Sequence, residues 1–264
     1  MFSQDQVRAL QTLVRLWSVE RFVLIGASAI RLQTGDRSRE THDVDLILGV
    51  PFNRYPAGLN IEAGWSRHPK REHRWIGPQN VYVDVIPVGG EAEAQTSLTW
   101  PESGFEMTLT GMRLAMDRAL TIQVAAGLMI RVAPLEVIAL LKMVAYLDRP
   151  LERDRDLEDI AFILDEFIGA RDDRRYADEI LDLGLKFEEI SPFLLGRSLA
   201  EFVNEQERKS VEEFIQLVKG VEDRTRTQAG MLVSAPLSWN RDPEELLVRI
   251  AAFERGFGSS PRKV

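Results

Sequence analysis

Asp43 and Asp45 stand two residues apart at the head of an apolar run, Val44, Leu46, Ile47 and Leu48, and Asp84 lies inside a second one, Val83 to Ile86. On a β-strand, residues i and i+2 point to the same face, so the pair can flank one site and a third carboxylate on a neighbouring strand can close it. Carboxylates gathered in this way repel one another and lose hydration, which is costly unless cations compensate. Divalent metal ions are the natural compensation, and two of them about 3.5 to 4 Å apart can hold a polyphosphate and activate an attacking oxygen. The expected chemistry is therefore transfer of a phosphorus-centred group at Mg²⁺ or Mn²⁺ held by Asp43, Asp45 and Asp84. Asp43 and Asp45 would serve both ions. Asp84 would serve the ion that activates the acceptor and would help to remove its proton.

The order of residues narrows this chemistry. In haloacid-dehalogenase phosphatases and many glycosyltransferases an apolar strand ends at the Asp-x-Asp pair, whereas here the polar segment Arg37 to His42 precedes it and Leu46 to Leu48 follow. The aspartates open the strand, which argues against both classes. There is no Gly-x-x-x-x-Gly-Lys-Ser/Thr loop and no His-Glu-x-x-His motif. The chain has no cysteine and three histidines, His42, His68 and His73, so thiolate chemistry is excluded and a catalytic triad has little to draw on. His42, beside the pair, reads as a strand-entry residue.

The elements that must position these residues are visible in the pattern. Val7, Leu10, Leu13, Val14 and Trp17 recur at helical spacing, and Phe22 to Ile25 form a short apolar strand broken by Gly26. Ala27 to Leu32 have a helical composition, so Gly26, Ala27 and Ser28 form a strand-to-helix turn whose backbone amides can meet an anion. His73 to Ile76 and Val81 to Val88 flank Gly77-Pro78-Gln79-Asn80, the pattern of a hairpin with Asp84 in its second arm. A short helix over Gly111 to Asp117 precedes a second hairpin, Thr121 to Val124 with Met129 to Val132. From Pro134 onward the pattern is helical, with helices expected over Leu135 to Leu147, Leu157 to Phe167, Tyr176 to Leu183, Glu207 to Val218 and Pro243 to Phe257, the last capped by Asp242. The expected architecture is α+β: a mixed β-sheet with flanking helices over residues 1–133, then a mostly helical domain over 134–264.

With 264 residues, 45% of them hydrophobic and 28% charged, the chain can bury two modest cores. Disorder is expected only near residues 222–232 and 256–264. The net charge of −8 argues against a general electrostatic grip on nucleic acid, so a polyanion must be met locally. One basic concentration exists, Arg67, His68, Lys70, Arg71, His73 and Arg74, interleaved with Trp65 and Trp75; it is either a solvated face or a nucleic-acid surface. The N-terminus is too polar for a signal peptide and no apolar run approaches the roughly 20 residues of a membrane span, so a soluble, cytoplasmic protein is expected.

Phe22-Val-Leu-Ile-Gly-Ala-Ser-Ala-Ile followed by Arg39-x-Thr41-x-Asp43-Val-Asp45-Leu resembles the first motif of the nucleotidyltransferase superfamily of DNA polymerase β type, and is most similar to its AbiEii branch. Val83-Asp84-Val85-Ile86-Pro87 resembles the later strand with a third carboxylate. Leu141-Lys142-Met143 with Arg155-Asp156-Leu157-Glu158-Asp159-Ile160 resembles the helical lysine and downstream acidic cluster of that branch. The resemblance implies a nucleotidyltransferase fold, an NTP substrate, and nucleotide binding by Gly26, Ala27, Ser28, Arg39, Lys142 and Asp156. Ala27 departs from it, standing where the superfamily usually has Gly or Ser, and offers a backbone amide but no hydroxyl. Lys142 sits in an apolar helix turn and must either snorkel to solvent or meet an anion, the nucleotide or Asp156 or Asp159. Asp156 and Asp159 are three apart and share a helix face, where they also suit a first helical turn.

The resemblance further implies transfer of an NMP to an acceptor hydroxyl, with RNA such as tRNA favoured, and a toxin of an abortive-infection or toxin-antitoxin system with a cognate antitoxin. Two other readings stand beside it: a small-molecule transferase acting on an aminoglycoside-like acceptor, and a nucleotide- or partner-binding protein that has kept the fold and lost turnover.

Overall fold

In the computed structural model, which describes residues 2–18, 22–35, 41, 43–55, 59–89, 96–220, 224–233, 235 and 239–259, the chain forms two compact units, Met1–Pro134 and Leu135–Val264. The first is built on a seven-stranded mixed sheet and the second is helical.

Helix α1 (Gln4–Trp17) begins with a capping box in which the Gln6 amide donates to Ser3 Oγ at 3.1 Å and the Ser3 amide donates to Gln6 Oε1 at 2.9 Å. Its buried residues Ala9, Leu10, Leu13 and Trp17 fall on one stripe. Strand β1 (Phe22–Ile25) is buried throughout, as a central strand covered on both faces must be. It runs straight into α2 (Gly26–Thr34) and pairs antiparallel with β2 (Asp43–Leu48). On its other side β2 pairs in parallel with β5 (Tyr82–Pro87), which is the second arm of a hairpin with β4 (Arg74–Ile76). Strand β3 (Ser66–Arg67) flanks β4.

A separate small hairpin, β6 (Ser97–Thr99) with β7 (Glu106–Thr108), leads to α3 (Met112–Arg118) and then to β8 (Leu120–Ala125) and β9 (Leu128–Val132). Strand β9 returns parallel to β1, giving the order β3-β4-β5-β2-β1-β9-β8. The two central strands β1 and β2 thus carry the turn at Gly26 and the aspartate pair side by side.

In the second unit, α4 (Leu135–Asp148) is buried on nearly every side, α5 (Asp154–Glu166) is amphipathic, and α8 (Glu205–Lys219) starts at a capping box of Asn204 and Glu207. Helices α7 (Phe187–Ala200) and α10 (Pro243–Ser259) cross at glycines: a Cβ on Gly196 would stand 2.1 Å from the Phe253 carbonyl oxygen, and one on Gly256 would stand 2.0 Å from that of Phe193. Backbone meets backbone there because neither residue carries a side chain. Asp242 caps α10, its Oδ1 accepting from the Glu244 amide at 2.9 Å. Among the described residues no helix is long and apolar enough to cross a membrane.

Two expectations need correction. Residues 176–183 do not form one helix; a 3₁₀ turn (Asp173–Tyr176) is followed by a single turn, α6 (Asp178–Leu181). The buried Arg175 guanidinium explains the break, because it collects the carbonyls of Ile168, Gly169 and Phe187 at 2.8 to 3.0 Å and the chain winds around it. The segment expected to lack structure near 222–232 contains α9 (Arg224–Val233). Its polar residues are buried with partners: Thr227 with the Tyr146 hydroxyl at 3.1 Å, and Gln228 with the Val218 carbonyl at 2.8 Å. Likewise α10 continues through residues 256–259.

Because the α7–α10 crossing has no room for a methyl group, Gly196→Ala is expected to destabilise the protein by about 3 kcal/mol or more, the upper end of overpacking penalties. Urea denaturation followed by circular dichroism would show a lower midpoint. An unchanged midpoint would mean that the helices are not held this closely.

Candidate active site

Strand β2 alternates half-buried Asp43 and Asp45 with buried Val44 and Leu46. In the parallel pairing with β5, Asp45 is the register partner of Asp84. Residues in register on neighbouring strands share a sheet face at roughly 5 Å spacing, so all three carboxylates stand on one face.

Gly26 closes one side. Its φ of +71° is in the left-handed region, and a Cβ there would fall 2.1 Å from Asp45 Oδ2, so only glycine allows the β1–α2 turn to lie against this carboxylate. The preceding Ile25 supplies no side-chain cap to α2. An acidic group at the start of a helix is electrostatically favoured.

Ser28 is 4% exposed, and its hydroxyl donates to the Asp43 carbonyl at 3.0 Å and lies 3.1 Å from Thr41 Oγ1. Thr41 is also held through its carbonyl by Gln6 Nε2 at 3.0 Å. The Ser28 side chain therefore pins the start of β2, and the half-buried Ala27 is the more open residue of the turn. Arg39 and His42 lie outside the described residues.

The residue that binds the aspartates together is one that the sequence presents only as a member of the basic run. Arg74, on β4, donates from Nε to Asp84 Oδ1 at 2.7 Å, from Nη2 to Asp84 Oδ2 at 2.8 Å, and from Nη2 to Asp43 Oδ2 at 2.7 Å. Its side chain is 14% exposed, and the guanidinium stands 5.2 Å from the centre of the Tyr82 ring. The hydrogen bonding to Asp84 outweighs burial and, with the fields of Asp43 and Asp45, holds this arginine protonated well above its ordinary range. The signal was present in the hairpin: once it closes, Arg74 is opposite Asp84, an opposite-charge cross-strand pair.

The basic run is consequently not a continuous outward face. Arg67 pairs with Glu102 at 2.6 Å and approaches Glu72 at 3.4 Å, while Lys70 and Arg71 are exposed. Trp65 and Trp75, interleaved with the run in sequence, are buried and take no part in an exposed surface. Trp75 donates to the Tyr55 hydroxyl at 2.7 Å inside an aromatic cluster that also includes Trp100.

Within the helical unit, Lys142 Nζ lies 2.7 Å from Asp156 Oδ1 and 2.8 Å from Asp159 Oδ2, and Arg153 Nε lies 2.7 Å from Asp156 Oδ2. Burial alone would lower the Lys142 pKa, but Asp159 and Asp156 override it and hold the ammonium above its ordinary value. The structure thus gathers Lys142, Asp156 and Asp159 into one buried ion cluster.

A family model described as nucleotidyl transferase AbiEii toxin, type IV toxin-antitoxin system, matches residues 8–240. The chain belongs to the AbiEii family. No curated protein matches it. Membership places this AbiEii chain among nucleotidyltransferase toxins, and the match spans both units. The carboxylates are hard oxygen donors of the kind that suit Mg²⁺ or Mn²⁺. As the side chains stand, however, Arg74 lies between Asp43 and Asp84, and among the described residues no three acidic or imidazole groups converge to hold a metal. The donor set fits a divalent ion by type, with a guanidinium bound to two of its members.

Glu72, two residues before Arg74, anchors the turn between β6 and β7. It accepts from the amides of Glu102 and Ser103, both at 2.9 Å, and from the Ser103 hydroxyl. Burial pushes its pKa up, but these bonds and Arg67 prevail and leave it below its ordinary value of 4.5. Folding therefore favours the carboxylate: its stabilisation is complete above pH 4.5 and is lost as the pH falls through the lowered folded value. Glu72→Gln should lower the urea midpoint at pH 7 and show a smaller deficit on acidification toward that value. A deficit that stays constant with pH would show that ionisation of Glu72 is not what holds the turn.

Proposed function

We propose that this AbiEii protein transfers an NMP from an NTP to an acceptor hydroxyl at Asp43, Asp45 and Asp84. The observation that carries the reading is the register of Asp45 with Asp84 on adjacent parallel strands, with Asp43 on the same face and Gly26 against Asp45. Asp43 and Asp45 would hold Mg²⁺ or Mn²⁺ jointly, and Asp84 would complete the set on the acceptor side. Such an ion supplies positive charge to the triphosphate and lowers the pKa of the attacking oxygen.

The acceptor oxygen bonds to the α-phosphorus, its proton passes to Asp84, the bond from that phosphorus to the bridging oxygen breaks, and pyrophosphate leaves. Backbone amides of Gly26, Ala27 and Ser28 would receive phosphate oxygens, with Ser28 acting through its amide because its hydroxyl is committed to β2. Lys142 and Asp156 are proposed as further nucleotide-binding residues on the strength of the motif resemblance alone. Arg39 is proposed as a further phosphate contact on the strength of its motif alone.

A cognate antitoxin is the proposed partner, supported by the family's description as one half of a toxin-antitoxin system, and RNA such as tRNA is the proposed acceptor on the strength of the motif resemblance alone. Exposed Lys70 and Arg71 are basic residues that an RNA backbone could meet. A second reading, a protein that binds nucleotide without turnover, draws support from Arg74 being bonded to two of the three carboxylates.

Incubation of the purified protein with α-labelled NTPs, Mn²⁺ and total RNA should label the RNA. Asp43→Asn or Asp84→Asn should reduce the rate about 100-fold or more, the scale on which loss of a transition-state electrostatic contact is felt. Nucleotide binding with no transfer to RNA or to an aminoglycoside would decide for the binding protein, and labelling of the aminoglycoside alone would replace the acceptor.

A further inference from the structure

Asp43 and Asp84 direct oxygens at the same guanidinium nitrogen, Arg74 Nη2, at 2.7 and 2.8 Å, while Nε takes the other oxygen of Asp84 at 2.7 Å. Arg74 thus grips Asp84 with two parallel bonds and Asp43 with one. A planar guanidinium bonded to carboxylates in this fork is among the stronger polar contacts a protein makes, and at 14% exposure it is only partly relaxed by water. A divalent ion that takes lone pairs of Asp43 and Asp84 must therefore displace a cation that is already there.

Without Arg74, Asp43 and Asp84 would lose the cation that bonds to both, and their repulsion would weigh on the half-buried sheet face. With it, the face is stable but its ligands are engaged. A bare ion must bear the whole cost of expelling the guanidinium. An ion that arrives with a nucleotide brings phosphate oxygens, which match the same guanidinium fork and give Arg74 an equivalent partner as it leaves the carboxylates. The Tyr82 ring, 5.2 Å from the guanidinium carbon, gives the group a face to rest on.

We propose that Arg74 is an internal counterion that competes with divalent cations for Asp43 and Asp84, so that the site loads its metal together with nucleotide phosphates and binds the bare ion weakly. The inference rests on the reading of these aspartates as metal ligands. Arg74 acts on the metal through the carboxylates and on the nucleotide through its phosphates.

The test is Mn²⁺ binding by the full chain, read from the electron paramagnetic resonance signal of free Mn²⁺, with and without a non-hydrolysable NTP analogue. The proteins compared are the wild type, Arg74→Gln, Arg74→Lys, and Arg74→Gln combined with Asp84→Asn. The wild type should bind bare Mn²⁺ weakly and much more tightly with the analogue. Arg74→Gln should bind bare Mn²⁺ about tenfold more tightly than wild type or better, equivalent to about 1.4 kcal/mol, and gain less from the analogue. The added Asp84→Asn change should cancel that gain. Arg74→Lys keeps the charge but loses the fork, and should tighten bare Mn²⁺ binding by a smaller factor; if Arg74→Gln does not fold, this variant decides. Bare-ion affinity equal to or below wild type in whichever variant folds overturns the role of Arg74 while leaving the metal site intact. Absence of Mn²⁺ binding in every protein, even with the analogue, overturns the metal site and this inference with it.

Discussion

Carboxylates on adjacent strands of one sheet face repel one another, and the first unit is arranged around meeting that repulsion. The parallel pairing of β2 with β5 fixes Asp45 beside Asp84, and the side-chain period of a strand then fixes Asp43 on the same face. No choice of rotamer disperses three charges placed that way. The compensation comes from the hairpin: β4 returns antiparallel to β5 and sets Arg74 opposite Asp84, within reach of Asp43. The rest of the unit supports this geometry. Glu72 ties the base of β4 to the β6–β7 turn, Ser28 fixes the start of β2, and Gly26 lets the β1–α2 turn approach Asp45 without a side chain between them.

The helical unit meets the same constraint in the same way. Asp156 and Asp159, one turn apart on α5, face Lys142 on α4, and Arg153 takes the remaining oxygen of Asp156. The difference is burial. Asp156 and Asp159 are 4% and 7% exposed, whereas the Asp43 side chain is 39% exposed. A charge pair closed off from water is hard to break without leaving an unpaired ion behind, while a partly wet one exchanges partners at lower cost. The strand cluster is thus the more readily opened of the two.

What the sequence made legible follows from which signals are local. The strand period around Val44 and Leu46, the turn residues Gly77 to Asn80, and the helical spacing after Pro134 each specify an element from its own residues, and those elements are present. The site was legible as a set of acids because the aspartates interrupt apolar runs. Its cation was not, because Arg74 reads as one member of a basic run until the hairpin register is known. The burial of Trp75 was equally hidden, because it packs against Tyr55, itself against Trp100, and both are distant in sequence. Near residue 176 a local helical signal lost to Arg175, whose guanidinium organises carbonyls from three positions. Around Thr227 a polar composition concealed a buried helix because its polar groups find partners on other helices.

Charge balance connects these features to the proposed chemistry. Among the described residues, Asp43 and Asp84 are bonded to the one guanidinium of Arg74 and Asp45 stands on the same face, so acids outnumber that arginine in a chain whose net charge is already −8. A triphosphate cannot approach such a surface without cations travelling with it. One divalent ion neutralises the local excess. It also takes over part of the guanidinium's role as counterion to the acids, so that the guanidinium can turn to a phosphate while the carboxylates keep a cation. An arginine suits this exchange better than a lysine because its fork fits a carboxylate and a phosphate alike, so the same group serves the empty and the loaded site. On this reading, the contact that stabilises the free protein is also the one that makes bare metal a poor ligand, and stability and selectivity for the metal–nucleotide pair arise from a single side chain.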